Sequence, residues 1–76
     1  MKAILTKSQF RCVLGNSLRS IRIELGLSQE QFAGTAGLGR THYGAIERGE
    51  KTISTHNLYL LLESNGISFA SFFKTI

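Results

Sequence analysis

The chain has 76 residues, of which 42% are apolar and 18% are charged, a balance typical of folded domains and unlike that of disordered chains. Nine Lys and Arg residues against five Glu residues give a net charge of +4, which suits a polyanionic partner. We expect one domain, residues 1–76, because a second hydrophobic core would need a longer chain.

Cysteine and histidine usage excludes several classes of protein. The single cysteine, Cys12, excludes an internal disulfide and is typical of a reducing compartment. Neither Cys12, His42 nor His56 has a partner at the spacing of a metal site or a nucleophile–base pair, so we expect no metal, no cofactor and no enzymatic activity. No secretion signal and no run of about 18 apolar residues is present, which predicts a cytoplasmic protein without membrane contact.

The first predicted element is a long helix. Apolar residues recur at steps of three or four from Phe10 to Leu25, which predicts an α-helix over about 8–25. Gly26 then supplies the left-handed residue that commonly closes a helix. Gly15 lies inside this pattern at a cost of about 1 kcal/mol relative to alanine, and we predict that it marks close packing against a neighbour.

Two short helices follow. Ser28 and Gln31 have the form of a capping box, which starts a helix over about 29–36. The connection 37–39 contains two glycines, and a third helix over about 40–48 ends at Gly49, with Tyr43 facing inward. Two short helices joined by a glycine-containing turn predict a helix-turn-helix unit over 28–49.

The C-terminal part predicts two more helices. Ser54 caps a helix over about 55–64 that closes at Asn65 and Gly66, and Ser68 caps a last helix over about 69–74. The sequence contains no run of alternating β-branched residues, so no strand is predicted. The predicted fold class is therefore all-α, a compact bundle of five helices.

The residues of the helix-turn-helix unit resemble those of a known family. Leu-Ser-Gln-Glu-Gln-Phe-Ala at 27–33, Ala-Gly-Leu at 36–38, Arg40-Thr41 and Ile-Glu-Arg-Gly at 46–49 resemble the phage repressor and Cro (XRE-like) transcriptional regulators, with a likeness that extends over about 14–73. The resemblance implies a lambda-repressor-like fold and a homodimer that places helix 40–48 in the major groove of a near-palindromic operator in double-stranded DNA. Arg40-Thr41 and the aromatic-rich stretch that follows them also look like the corresponding part of restriction-modification controller proteins.

Residues on the outer face of helix 40–48 are the candidates for reading bases. They are Arg40, Thr41, His42, Gly44 and Ala45. Arg40 is the leading one, because its guanidinium fork can bond guanine O6 and N7 together. Because Gly44 and Ala45 have no polar side-chain group, few direct contacts to bases are expected, and DNA shape is expected to supply the rest of the sequence specificity.

A second set is expected to bind phosphates. By resemblance, Gln29 contacts a phosphate, and so does the region between helices three and four. The set comprises Ser28, Gln29, Tyr43, Arg48, Lys51, Thr52, Ser54 and Asn57. The hydroxyls of Ser28 and Ser54 also have the alternative role of capping alone, and the Tyr43 hydroxyl is expected to reach solvent or the DNA edge.

The resemblance also implies a structural ion pair. Arg22 and Glu47 would tie the first helix to the end of the recognition helix without reading DNA. Removal of Glu47 is therefore expected to lower both the melting temperature and DNA affinity.

Excess apolar residues in the last two helices predict a dimer interface, since large exposed apolar patches mark association sites. The candidates are Tyr59, Leu60, Phe69, Phe72, Phe73 and Ile76. The alternative is that they only complete the core.

The main alternative function is an antitoxin-type or purely protein-binding module of the same fold, whose DNA binding is autoregulatory or lost. A toxin or polymerase partner stays open at this point. So do the operator sequence and the regulated genes.

Overall fold

Helices form every regular element of the chain that the structure describes. The computed structural model describes residues 4–74 and 76. The elements within these ranges are α1 (Lys7–Glu24), α2 (Gln29–Gly34), α3 (Arg40–Glu47), α4 (Thr55–Glu63) and α5 (Phe69–Lys74). The predicted all-α class is confirmed, since no strand occurs among the described residues.

Reciprocal caps fix where α1 and α2 begin. The Ser28 hydroxyl accepts the Gln31 N–H at 3.0 Å, while the Gln31 side chain accepts the Ser28 N–H at 2.9 Å, as the capping box predicts. The same arrangement joins Thr6 and Gln9, at 3.1 and 2.9 Å, so α1 begins one residue earlier than predicted.

Serine caps also start the last two helices. The Ser54 hydroxyl accepts the Asn57 N–H at 3.1 Å, and the Ser68 hydroxyl accepts the Ser71 N–H at 3.2 Å, so both predicted caps are confirmed. At its other end α2 stops at Gly34, two residues before the prediction. The reason is that the backbone N–H groups of Ala36 and Gly37 donate to carbonyl oxygens three residues earlier, which forms a tighter turn than an α-helix. Gly37 closes this turn with a φ of +68°.

The core gathers side chains from all five helices. Its buried members are Leu14, Leu18, Phe32, Ala33, Ala36, Tyr43, Ile46, Leu58, Leu61, Leu62 and Phe72. The apolar stripe of α1 is buried only in its middle, because Phe10 and Leu25 remain 41% and 43% exposed.

Helix α1 lies directly against the C-terminal end of α3. A Cβ atom at Gly15 would lie 2.5 Å from the carbonyl oxygens of both Ile46 and Glu47. A Cβ atom at Gly49, whose φ is +76°, would lie 2.8 Å from the Cys12 sulfur. The predicted close packing at Gly15 is confirmed, and it sets the position of α3 relative to the bundle.

Neither a membrane-spanning helix nor a cluster of metal ligands occurs in the part of the chain that the structure describes. None of the helices in 4–74 is long and apolar enough to cross a membrane. No group of three or more His, Cys, Asp or Glu side chains in that part of the chain is arranged to hold a metal ion.

Candidate nucleic-acid interface

The first turn of α3 presents three polar side chains to solvent. Arg40, Thr41 and His42 are all exposed. Arg40 and Thr41 also line a shallow groove of about 170 Å³ together with Gln29, Gly44 and Arg48. The groove therefore joins the start of α2 to the outer face of α3.

Two predicted base readers lie deeper than expected. The Gln29 and Arg48 side chains would lie 3.4 and 3.3 Å from a Cβ atom at Gly44, so they cover this residue. Ala45 is only 9% exposed. The expectation that both residues are exposed on the outer face is wrong, and the exposed part of that face is the first turn of α3.

Most of the predicted phosphate-binding residues lie at the surface. Those that are exposed are Ser28, Arg48, Lys51, Thr52 and Ser54, while Gln29 and Asn57 are half-buried. Arg48 Nε lies 3.2 Å from a Glu50 carboxylate oxygen, but both side chains are more than half exposed. An ion pair this exposed contributes little to the stability of the fold, so the Arg48 guanidinium can leave Glu50 and bind a phosphate instead.

Tyr43 does not reach the surface. Its side chain is fully buried and packs edge-on against Phe32, with ring centroids 5.6 Å apart. The hydroxyl faces the Arg22–Glu47 pair, but its geometry falls short of a full hydrogen bond to any described residue. The prediction that Tyr43 contacts solvent or a phosphate is therefore wrong, because the hydroxyl has a polar neighbourhood inside the protein.

The predicted Arg22–Glu47 ion pair is present and links α1 to α3. Arg22 Nε and Nη2 donate to the two Glu47 carboxylate oxygens at 2.7 and 3.2 Å. The Glu47 side chain is 3% exposed and that of Arg22 is 14% exposed. This bidentate geometry fixes both the distance and the orientation between α1 and α3.

Burial and hydrogen bonding act on the Glu47 carboxyl in opposite directions. Desolvation raises its pKa, but interactions with Arg22, the Tyr43 hydroxyl and Gln29 outweigh burial, so the pKa lies below its ordinary value. The hydrogen bond to Glu47 raises the pKa of Arg22 in turn. Burial raises the pKa of Tyr43, which keeps that hydroxyl neutral.

Gln29 extends this network to α2, which the sequence did not indicate. Its Nε2 donates to Glu47 Oε1 at 3.1 Å. Arg22 Nη1 also donates to the Leu27 carbonyl oxygen at 2.9 Å, one residue before the cap of α2. The side chain expected to touch a phosphate is thus held by the residue that anchors α3.

Three further hydrogen bonds, made by two side chains, were missed. Arg11 Nε donates to the Gly49 carbonyl oxygen at 3.1 Å, and Asn65 Nδ2 donates to Thr35 Oγ1 at 3.1 Å and to the Leu61 carbonyl oxygen at 2.7 Å. Two of these hydrogen bonds join residues 38 and 30 positions apart, for which local patterns carry no signal, while the third runs from Asn65 back to Leu61 over four residues. Gly15, which was predicted to mark close packing, signals that α1 approaches another element but does not identify the end of α3 as that element.

The predicted dimer face divides into exposed and buried members. Tyr59 and Phe73 are 49% and 41% exposed, and both contact the Phe69 ring, with centroids 6.3 and 5.1 Å from it. Leu60, Phe69 and Ile76 are partly buried. Phe72 is only 1% exposed, so its assignment to an interface is wrong: it faces the core from α5.

Comparison with known proteins identifies the fold and the family. Residues 18–72 match the helix-turn-helix family HTH_3. The chain is 40% identical over 63 residues to the control protein C.MunI of a Mycoplasma species, covering 82% of this chain and 85% of that protein.

Solved structures of controller proteins resemble this one closely. The restriction-modification controller protein C.AhdI from Aeromonas hydrophila has a TM-score of 0.77 and 33% identity, over 83% of this chain and 96% of that chain. The controller protein C.Esp1396I, solved as a tetramer in complex with its natural 35 base-pair operator, has a TM-score of 0.76 and 28% identity, over 86% of each chain. The chain therefore belongs to the HTH_3 helix-turn-helix family of transcriptional regulators.

Proposed function

We propose that this chain is a controller-type transcriptional regulator that binds a near-palindromic operator as a homodimer, with α3 in the major groove. The observation that carries the proposal is the groove at the start of α3, where exposed Arg40 and Thr41 stand beside Gln29 and Arg48. A recognition helix presents its first residues to base edges while the preceding helix crosses the backbone, and this groove joins those two surfaces.

Arg40 and Thr41 are the proposed base readers, with His42 beside them. Arg40 supplies a planar fork that matches the major-groove edge of guanine, a contact worth about 1–3 kcal/mol of discrimination. Thr41 supplies a hydroxyl for a base or phosphate and a methyl group for thymine. With Ala45 nearly buried and Gly44 covered, base reading is concentrated at the first turn of α3.

Backbone binding is proposed for Gln29, Arg48 and Lys51. Gln29 lies at the first position of α2, where backbone N–H groups and the positive helix end favour an anion. Arg48 and Lys51 lie on the segment that follows α3, and both side chains are exposed. These contacts set register and carry the salt-dependent part of affinity.

The dimer interface is proposed to be the exposed aromatic face of α4 and α5. We define this aromatic face as Tyr59, Phe69 and Phe73, with Leu60 and Ile76 at its edge. C.Esp1396I was crystallised as a tetramer on its operator, which supports assembly by a protein of this fold. The cytoplasm is the proposed location, since that is where the operator DNA of such a regulator lies.

A binding experiment tests this function. Duplexes selected from a random pool by the wild-type protein define the operator. Arg40→Ala should reduce the preference of the protein for that operator over random duplex by about 10-fold or more, because a bidentate base contact is lost.

Gln29→Ala is the matched comparison. It should weaken operator and random duplex by the same factor, because phosphate contacts carry no sequence information. If Arg40→Ala leaves the preference unchanged, Arg40 does not read bases. If selection yields no enriched duplex, the sequence-specific function is wrong and the protein-binding alternative gains support.

A further inference from the structure

The Arg11 side chain reaches across from α1 to the end of α3. Its Nε donates to the Gly49 carbonyl oxygen at 3.1 Å, and the side chain is half-buried. No other hydrogen bond or ion pair joins Arg11 to the described residues, so both terminal Nη groups keep their donors. One edge of the guanidinium is anchored and the other is free.

The anchor point lies inside the segment that is proposed to bind DNA backbone. Gly49 directly follows Arg48 and lies two residues before Lys51. The acidic residue in this segment, Glu50, is paired with Arg48 Nε at 3.2 Å. Arg11 therefore adds a third cation to a segment whose carboxylate already has a partner.

Electrostatics at the end of α3 favour a cation here. A helix carries partial negative charge at its C-terminal end, which would repel a nearby phosphate. The Cys12 sulfur would lie 2.8 Å from a Cβ atom at Gly49, so α1 packs directly on this turn and holds the Arg11 backbone beside it. Anchoring through Nε also restricts the side chain before DNA arrives, which lowers the entropy lost on forming a contact.

We infer that Arg11 is a DNA phosphate-binding residue, and that α1 thereby extends the backbone contact of the helix-turn-helix unit beyond Arg48 and Lys51. This inference rests on the proposed function. It assigns Arg11 a charge-dependent contact with phosphate in addition to its packing contact with Gly49.

Salt titration of duplex binding tests the assignment, with the selected operator and a random duplex as probes. Arg11→Gln should reduce the magnitude of the slope of log K against log salt by about 1.8 and weaken both duplexes equally, as expected when each protomer of the dimer loses one phosphate contact. Arg11→Lys should keep the wild-type slope, because it keeps the charge. Thermal melting of both variants checks that the fold is intact.

Arg19→Gln is the matched control, since it removes an exposed arginine from the same helix. Arg19 follows Arg11 by eight residues on α1, so its position is displaced by about 12 Å along the helix axis and rotated by about 80° around it. Its slope should equal that of the wild type. A wild-type slope for Arg11→Gln would overturn the inference even if affinity fell together with melting temperature, because that result assigns Arg11 to packing alone. Absence of duplex binding by the wild type would overturn the proposed function as well.

Discussion

Glu47 is the residue at which three helices meet. It belongs to α3, and its carboxylate accepts hydrogen bonds from Arg22 of α1 and Gln29 of α2. The Tyr43 hydroxyl faces the same carboxylate from within α3. Since Gln29 and α3 both belong to the proposed DNA interface, the protonation state of this one buried group bears on stability and on DNA binding together.

The lowered pKa of Glu47 predicts a specific dependence of stability on pH. Because the folded pKa lies below the unfolded value, about 4.3, the ionised carboxylate contributes stability above that pH. The contribution is lost as pH falls through the folded pKa. Glu47→Gln should therefore lower the free energy of unfolding by about 3 kcal/mol at pH 6, and the difference from wild type should shrink steadily below about pH 4.

Urea unfolding between pH 6 and pH 3 measures this difference. Glu24→Gln, at an exposed carboxylate at the end of α1, serves as the control and should show a much smaller difference at pH 6. A Glu47→Gln variant as stable as wild type at pH 6 would contradict a stabilising role for the network.

At the scale of elements, the approach of α1 to α3 depends on the absence of a side chain at Gly15. Gly15→Ala places a methyl group 2.5 Å from two backbone carbonyl oxygens of α3, so the helices must separate. Overpacking of this kind costs about 1–3 kcal/mol and outweighs the gain in helix propensity of about 1 kcal/mol. We expect a lower melting temperature together with weaker operator binding, because the recognition helix shifts.

Gly34→Ala provides the opposite case within the same fold. Apart from its own helix backbone and chain neighbours, no atom of the described residues lies within 4 Å of the added Cβ atom, so only the propensity gain remains, at most about 1 kcal/mol. Its melting temperature should equal or exceed that of wild type, with unchanged DNA affinity. Equal effects of the two glycine substitutions on melting would argue against the close approach of α1 and α3.

Helix starts were predictable from sequence because capping is local. Ser28, Ser54 and Ser68 each cap the helix that was predicted to follow, while the capping box at Thr6 was overlooked. The predicted helix ends were less accurate. Helix α2 passes into a turn whose backbone hydrogen bonds join residues three apart instead of four apart. The Arg22–Glu47 pair was found through family resemblance, because a contact across 25 residues has no local signature.

The remaining errors concern which side of a helix faces inward. Phe69, Phe72 and Phe73 lie within four residues of each other, and periodicity alone does not single out Phe72 as the one in the core. Tyr43 was placed inward correctly, but its hydroxyl was expected at the surface. The polar neighbourhood formed by Arg22 and Glu47 behind it depends on the three-dimensional packing of α1 against α3.

At the scale of the whole molecule, the aromatic face of α4 and α5 predicts self-association. Phe73→Asp places a charge at an exposed position of this face, so the fold should survive while the dimer dissociates. Sedimentation should then show a monomer at concentrations at which wild type is a dimer, and operator affinity should fall.

Phe10→Asp is a closely matched control, because Phe10 on α1 is also 41% exposed. It should sediment as wild type does. Dissociation by both substitutions, or by neither, would place the interface elsewhere on the molecule.

The central claim is that the helix-turn-helix unit binds duplex DNA through the groove between α2 and α3 and the cations around it. Titration of wild-type binding to the selected operator against salt tests it most directly. We predict that log K falls linearly with log salt with a slope of about −0.9 for each phosphate contacted, and that the dimer protects half-sites centred about 34 Å apart on one face of the duplex. Absence of duplex binding at low salt would contradict the account.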